Sequence, residues 1–259
     1  MDVVLLTSRK EGLPLIFLTE VLKKKSISIN AVIFSRNEKN RVKYLKQKLK
    51  KIRKQGLSTI LSGIYLRSLF DEKKYLKTTH SIEQFCAIHA IPFIQIGRTV
   101  NLKEGDKKSI LNLQFDVGIS IGNSFVGKFI LNLPKDCFIN IHHEILPAYK
   151  GAQSIIWQLY NYSSVSGFTI HKMNNTIDGG VIIYVKEFQI IFYESFKKTI
   201  QANLEIIKKE SIQEMVKILN EGSISPMNIN TKVSHYTTPN LFQLFRIVLN
   251  YKKLRKGHS

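Results

Sequence analysis

Short apolar runs alternate with segments of helical periodicity along most of the chain. Val3–Thr7, Ile29–Phe34 and Ile91–Ile96 are apolar and rich in β-branched residues, which is typical of buried strands. Leu15–Leu22 carries apolar residues at helical spacing, and Phe85–His89 closes a second helical pattern. Strands separated by helices predict βαβ units and a largely parallel sheet covered on both faces. The remaining strand candidates are Asp116–Ile121, Cys137–Ile141, Gly167–His171 and Val181–Val185, of which the last two are expected to pair.

This order of elements predicts an α/β domain with an open sheet over residues 1–190, followed by a C-terminal helix and extension over residues 191–259. Residues 199–219 have helical periodicity, and Asn220-Glu221-Gly222 ends the pattern. The extension is too short for an independent core. We therefore expect it to pack on the main domain or to mediate dimerisation.

The charge balance is unusual. The chain has 259 residues and a formal net charge of +20, which favours anionic partners such as nucleotides, polyanionic cofactors, nucleic acid or an acidic membrane. Residues 39–54 hold nine Lys or Arg and no acid, with Val42, Leu45, Leu49 and Ile52 at helical spacing. We interpret this segment as an amphipathic helix with a solvated basic face, and anion or membrane docking is the alternative.

Composition also bears on where the protein works. No stretch approaches the ~20 consecutive apolar residues of a transmembrane helix. The N-terminus has no basic leader, and Cys86 and Cys137 alone do not suggest a disulfide framework. We therefore expect a cytoplasmic protein.

Several familiar catalytic motifs are missing from the sequence. No G-x-G-x-x-G follows the first strand, and there is neither a P-loop nor a G-x-S-x-G elbow. His142-His143-Glu144 is not the H-E-x-x-H of zinc enzymes, and Pro147 argues against the helix that such a motif needs. We therefore expect no metal.

One group of polar residues suits the transfer of an acyl unit to an amine. Asn140 and His142 alternate at the end of an apolar strand, so their side chains point to the same side. Asp178 lies in a polar loop and is followed by Gly179 and Gly180, which suit a close backbone approach. An amide and a protonated imidazole can donate to a developing oxyanion, and a carboxylate can accept the proton of the amine.

These residues resemble the active-site region of the N10-formyltetrahydrofolate-dependent formyltransferases. The convincing part of the resemblance covers about residues 115–185. It rests on Asn140-Ile141-His142, Leu146-Pro147-Ala148-Tyr149-Lys150-Gly151, Gly167-Phe168-Thr169-Ile170-His171 and Asp178-Gly179-Gly180. The resemblance implies an open, mostly parallel Rossmann-like sheet of the formyltransferase type, with N10-formyltetrahydrofolate as co-substrate.

The resemblance also implies roles for individual residues. The catalytic residues would be Asn140, His142 and Asp178. The residues expected at the folate are Ser124, Phe125, Val126 and His171, and those expected at the acceptor are Tyr149, Lys150 and Gln153. The family usually has Pro-Ser where this chain has His143-Glu144, a change that leaves the catalytic residues in place but could alter the folate side of the pocket.

The flanking segments discriminate between acceptors within that family. Ser8–Pro14 does not match the glycine- and serine-rich phosphate loop of glycinamide ribonucleotide enzymes, and the residues after 219 are too few for the C-terminal barrel of methionyl-tRNA enzymes. In architecture the chain is most similar to the sugar N-formyltransferases, which are commonly dimeric. We therefore expect it to formylate a nucleotide-linked amino sugar, typically a dTDP-linked deoxysugar for O-antigen or surface polysaccharide in lipopolysaccharide biosynthesis, with no obligate nucleic acid.

Three alternatives remain open. The acceptor could be another amine, such as methionyl-tRNA or glycinamide ribonucleotide. The chain could hydrolyse formyltetrahydrofolate, with water in place of the amine. It could also be a non-catalytic relative that binds nucleic acid or a membrane through its basic surface.

Overall fold

A computed structural model of the chain describes residues 1–36, 56–70, 79–123, 125–151, 154–229 and 232–258. The strands in these ranges are β1 (Asp2–Thr7), β2 (Ser28–Ser35), β3 (Phe93–Ile96), β4 (Val117–Ile121), β5 (Cys137–His142), β6 (Val165–Lys172) and β7 (Ile182–Gln189). They form one sheet of seven strands in the order β3-β2-β1-β4-β5-β6-β7. The basic segment 39–54 lies outside the described residues.

Helices connect and flank these strands. They are α1 (Leu13–Leu22), α2 (described over 56–69), α3 (Ile82–Ile88), α4 (Glu104–Leu111), α5 (Lys128–Leu131), α6 (Ile156–Tyr160), α7 (Phe196–Glu221) and α8 (Leu241–Gly257). Capping residues in the sequence determine where several of these helices begin or end. Ser81 and Asn240 form capping boxes that begin α3 and α8, and Gly222 ends α7 in the left-handed conformation. Across the described ranges, no helix is long and apolar enough to cross a membrane.

The sheet is mostly parallel, as the sequence predicts. Strands β1 to β5 pair in parallel, and β6 and β7 are antiparallel additions at one edge. From β1, the chain builds outward through β2 and β3 in one direction and through β4 and β5 in the other. Open α/β sheets bind ligands at such a reversal, outside the carboxyl ends of the strands. The fold therefore places a ligand site where β1, β4 and β5 end.

Two apolar layers cover the sheet. The larger core joins α1 and α7 to one face, with Phe17, Leu18, Ile200 and Leu204 fully or almost fully buried. The smaller core lies on the other face around Phe115 and packs against α4 and α5. Helix α7 thus shares the core of the sheet, and α8 buries three side chains, Ile247, Tyr251 and Leu254. The domain boundary at residue 190 stays a prediction.

Close packing between β4 and β5 gives a test of the register. Gly118 lies opposite Phe138, and a Cβ at Gly118 would be 2.2 Å from the Phe138 ring. We expect Gly118→Ala to lower the free energy of unfolding by about 1–3 kcal/mol because the ring must shift within a filled core. Gly105 in α4 is the matched control, since a Cβ there would meet nothing within 4 Å. Urea denaturation of both variants measures the difference, and equal effects would contradict this packing.

Candidate active site

The three predicted catalytic residues lie together at the carboxyl end of β5. Asn140 and His142 are alternate residues at the end of β5, and Asp178 comes from the loop between β6 and β7. All three line a cavity of about 420 Å³, which is within the usual size of small-molecule sites. Its other lining residues are Arg9, Leu13, Phe70, Ser120, Ile121, Gly122, Asn123, Ile141, His143, Gly151, Ser154, Ile177, Leu204 and Lys208.

Asp178 ties two segments of the site together. Its Oδ2 accepts a hydrogen bond from the Gly151 amide at 3.1 Å, and its Oδ1 is 3.5 Å from Nδ1 of His142. The other ring nitrogen, Nε2 of His142, lies 3.0 Å from the carbonyl oxygen of Tyr149. Both ring nitrogens face acceptor oxygens, and only an imidazole that carries both hydrogens satisfies both contacts. The geometry therefore places the His142 imidazole between the Asp178 carboxylate and the Tyr149 carbonyl.

Asn140 is oriented by His171. The Nδ2 atom of Asn140 lies 3.4 Å from Nε2 of His171, and Nδ1 of His171 lies 3.0 Å from the carbonyl oxygen of Lys172. Burial lowers the pKa of His171, so the neutral imidazole donates from Nδ1 and accepts at Nε2. An amide nitrogen has two hydrogens, of which His171 takes one. The second hydrogen of Asn140 remains for a ligand in the cavity.

The loop that carries Asp178 is tightly folded on itself. Asp178 has φ 51°, in the left-handed region that an aspartate enters more easily than most residues. A Cβ at Gly180 would collide with the carbonyl oxygen of Lys172, and one at Gly179 would be 2.1 Å from Oγ1 of Thr176. The two glycines therefore allow the loop to approach its own chain. The sequence predicted a close approach but not its partner.

Glu144 supports the segment after the strand. It is buried, and the oxygens of its carboxyl group accept hydrogen bonds from the Ile155 amide, at 2.8 Å, and from Nε2 of Gln158. Ile155 has φ 71°, a strained conformation for a β-branched side chain. Thr169 of β6 donates to the Glu144 carbonyl and accepts from the Leu146 amide. Glu144 is thus a structural residue that holds the turn entering α6.

The residues predicted at the folate are not brought together. Val126 is buried in the smaller core, and Phe125 is exposed, and neither lines the cavity. Both residues lie in the loop after β4, which ends at Ile121, and their role at the folate stays a prediction. Ser124 lies outside the described residues. His171 supports Asn140 rather than lining the cavity.

Two of the residues predicted at the acceptor, Tyr149 and Lys150, contact the C-terminal segment, and their role at the acceptor stays a prediction. The Tyr149 ring stacks on Tyr236, with ring centroids 5.3 Å apart. The Lys150 amide donates to the Ser234 carbonyl, and the Lys150 carbonyl accepts from the Tyr236 amide. Neither Tyr149 nor Lys150 lines the cavity. Gln153 lies outside the described residues.

Sequence reasoning missed two basic residues of the cavity, Arg9 and Lys208. Arg9 lies in the loop after β1, which ends beside β4, so its position follows from the strand order. Lys208 is 6% exposed and lies one turn after Leu204 on the buried face of α7. A lysine at an apolar position of an amphipathic helix is the signal that could have found it. Among the described residues, no group of three or more His, Cys, Asp or Glu could hold a metal ion.

Buried Glu144 should make stability depend on pH. Burial raises the pKa of its carboxyl well above the usual range, against hydrogen bonds from Gln158 and Ile155 that lower it. The folded chain therefore keeps this proton to a higher pH than the unfolded chain. The stability that the proton contributes is complete below the unfolded pKa and is lost as the pH rises through the folded pKa.

We therefore expect the free energy of unfolding of the wild type to fall, relative to Glu144→Gln, as the pH rises above the usual titration range of a glutamate carboxyl. Glutamine keeps a neutral acceptor and a donor for Oε1 of Gln158, which is buried and has no partner among the described residues. Glu144→Ala should cost about 1–3 kcal/mol for each buried donor left unpaired. Urea denaturation across this range measures both effects, and parallel pH profiles of wild type and Glu144→Gln would contradict them.

Comparison with known families places this site in context. Residues 97–217 match the formyl transferase family model. The methionyl-tRNA formyltransferase of Thermotoga maritima is 33% identical over 137 residues, which are 52% of this chain and 43% of that protein. That of Thermodesulfovibrio yellowstonii is 32% identical over 46% of this chain and 38% of that protein. The matched stretches span less than half the length of these relatives.

Solved structures extend the similarity to nearly the whole fold. WlaRD, a sugar 3N-formyl transferase crystallised with dTDP and 5-N-formyl-THF, superposes with a TM-score of 0.59 at 18% identity, over 97% of this chain and 79% of that one. The phosphoribosylglycinamide formyltransferase of Anaplasma phagocytophilum gives 0.55 at 16% identity, over 92% and 99% of the two chains. Residues 97–217 are thus similar to the formyl transferase family, and the chain shares its fold with solved formyltransferases.

Proposed function

We propose that this protein transfers a formyl group from N10-formyltetrahydrofolate to an amine. The observation that carries the proposal is the convergence of Asn140, His142 and Asp178 on one cavity at the carboxyl end of β5. The family match covers all three residues. The cavity supplies an amide donor, an imidazole and a carboxylate, the groups that acyl transfer to an amine requires.

Each residue has a distinct part in this reaction. The folate supplies the formyl group. Asn140 donates its second amide hydrogen to the formyl oxygen, and the positive charge of His142 stabilises the negative charge that develops there. Asp178 accepts the proton that the amine loses as the new carbon–nitrogen bond forms. It returns this proton to the folate nitrogen as the bond between that nitrogen and the formyl carbon breaks. The Gly151 amide keeps the Asp178 carboxylate in position throughout.

We propose a nucleotide-linked amino sugar as the acceptor. A second cavity, of about 480 Å³, lies on the other side of the loop after β1. Lys10 and Arg36 line it, as do Phe34 and Phe93, whose ring centroids are 5.9 Å apart. Cationic side chains suit a diphosphate, and aromatic walls suit a base. An acceptor with its amine at Asp178 and its nucleotide in the second cavity would occupy both cavities.

Two comparisons bear on the choice of acceptor, and they point in different directions. WlaRD and the N-formyltransferase of Helicobacter canadensis, whose structure is a complex with folinic acid and dTDP-3-aminofucose, superpose on nearly the whole of this chain. The sequence relatives, in contrast, are named methionyl-tRNA formyltransferases. Methionyl-tRNA is therefore the second candidate acceptor. A homodimer, a cytoplasmic location and a place in surface polysaccharide synthesis stay predictions.

A competition experiment decides between the acceptors. We expect the purified protein, given N10-formyltetrahydrofolate with dTDP-, UDP- and GDP-linked amino sugars, glycinamide ribonucleotide and methionyl-tRNA together, to formylate a sugar nucleotide preferentially. Mass spectrometry of the products measures the choice. Preferential formylation of methionyl-tRNA would replace the sugar with the second candidate. No formylated amine, with release of formate alone, would indicate a hydrolase.

Substitutions in the site test the mechanism. We expect Asn140→Ala and Asp178→Asn each to lower kcat by about 10²–10³, the usual effect of removing one group that stabilises the transition state. Asn112→Ala and Asp136→Asn are matched controls at the surface, away from the cavity. Initial rates at saturating donor give kcat for each variant. Circular dichroism spectra that match the wild type show that the variants are folded. Near-native kcat in either site variant would remove that residue from the mechanism.

A further inference from the structure

Two backbone groups in the segment after β5 contact the catalytic side chains. The Tyr149 carbonyl oxygen lies 3.0 Å from Nε2 of His142, and the Gly151 amide donates to Oδ2 of Asp178 at 3.1 Å. Both groups belong to the main chain. The orientations of the imidazole and the carboxylate therefore depend on what fixes the backbone of residues 149–151.

A docking segment from the C-terminal extension, residues 234–237, pairs with this backbone. The Lys150 amide donates to the Ser234 carbonyl at 3.0 Å, and the Tyr236 amide donates to the Lys150 carbonyl at 2.9 Å. These two bonds make a parallel bridge between Lys150 and His235. The docking segment therefore fixes the residue that lies between the two backbone groups at the catalytic side chains.

The Tyr236 ring holds the docking segment in this position. It stacks on the Tyr149 ring, with centroids 5.3 Å apart, and its centroid is 4.7 Å from that of the Trp157 ring. The Tyr236 hydroxyl accepts a hydrogen bond from Asn161 at 3.0 Å. Trp157 also donates from Nε1 to the Thr237 carbonyl at 2.9 Å. One side chain thus contacts both the segment after β5 and helix α6.

Gly151 shows how closely the docking segment approaches the catalytic site. Gly151 has φ 66°, in the left-handed region that favours glycine, and a Cβ there would be 2.9 Å from the carbonyl oxygen of Tyr236. The backbone of Tyr236 therefore lies directly against the residue whose amide donates to Asp178. A displacement of the docking segment would release that residue.

We propose that Tyr236 is a positioning residue for formyl transfer. Its ring and its backbone hold residues 149–151, and these residues in turn hold His142 and Asp178. Tyr236 lies outside the lining of the cavity, so it acts through these residues and not on the substrate. The inference rests on the proposed function, because it gives the C-terminal extension a part in the same reaction.

Substitutions at Tyr236 test the proposal in steady-state kinetics. We expect Tyr236→Ala to lower kcat by about tenfold or more, because small displacements of reacting groups are costly. KM for both substrates should change less than about twofold, since the displaced groups act in the transition state. Tyr236→Phe keeps the stacked ring and should retain most of kcat. Tyr236→Leu lacks the ring but keeps an apolar side chain, and it replaces the alanine variant if that variant does not fold.

Tyr251 in α8 provides the matched control. It is 3% exposed, its ring packs edge-on against Phe196, and its hydroxyl donates to the Tyr193 carbonyl at 2.6 Å. It therefore anchors the C-terminal extension near the start of α7 and away from residues 149–151. Tyr251→Ala should lower the free energy of unfolding at least as much as Tyr236→Ala, because the ring is more buried, and should leave kcat near the wild-type value.

Amide hydrogen exchange, followed by NMR, tests the positioning without any substrate. The Lys150 and Gly151 amides should exchange at least several-fold faster in Tyr236→Ala than in wild type, because local opening of the paired backbone becomes easier. Tyr251→Ala should leave both rates unchanged. This readout requires neither folate nor formyl transfer, so it can succeed or fail independently of the proposed function.

Three results would overturn the proposal. The first is unchanged exchange at both amides in Tyr236→Ala. The second is faster exchange with a near-native kcat, since the backbone would then move without affecting the reaction. The third is an equal loss of kcat in Tyr236→Ala and Tyr251→Ala, which would indicate a general loss of stability. If the wild type formylates no amine, the proposed function fails, and the exchange rates still decide whether Tyr236 holds residues 149–151.

Discussion

The site depends on the position of one carboxylate. Asp178 accepts from the Gly151 amide and lies against the His142 imidazole, so it joins the end of β5, the turn before α6 and the loop between β6 and β7. Both side chains of the His142–Asp178 pair are mostly buried, at 13% and 11% exposure, which keeps their interaction less screened than a surface pair. Gly179 and Gly180, directly after Asp178, let the same loop fold closely against Thr176 and Lys172.

Two buried groups near the His142–Asp178 pair, His171 and Glu144, favour their uncharged forms. Burial lowers the pKa of His171 and raises that of Glu144, so both favour the uncharged form. His171 then orients Asn140, and Glu144 orients the turn through Ile155. The two residues that orient Asn140 and the turn into α6 are thus uncharged.

Much of this arrangement could be predicted from sequence. The alternation of Asn140 and His142 at a strand end fixes their common direction, and the parallel order of strands fixes where that end lies. The burial of Val126 in a core and the pairing of Lys150 with His235 could not be predicted, because both depend on contacts between segments that are distant in the sequence. In the sequence, His143-Glu144 stands where the formyltransferases that it resembles usually have Pro-Ser. The structural role of Glu144 became evident only with its hydrogen bond to Gln158 in α6.

The most direct test of the account follows the formyl carbon itself. With ¹³C-labelled N10-formyltetrahydrofolate and an amino-sugar nucleotide, NMR reports whether the label stays on the donor, enters an amide of the acceptor or appears as free formate. The account predicts an amide signal that grows in the presence of the wild-type protein and fails to grow with Asp178→Asn. A label that remains on the donor, with every acceptor and at every protein concentration, would contradict formyl transfer at this site.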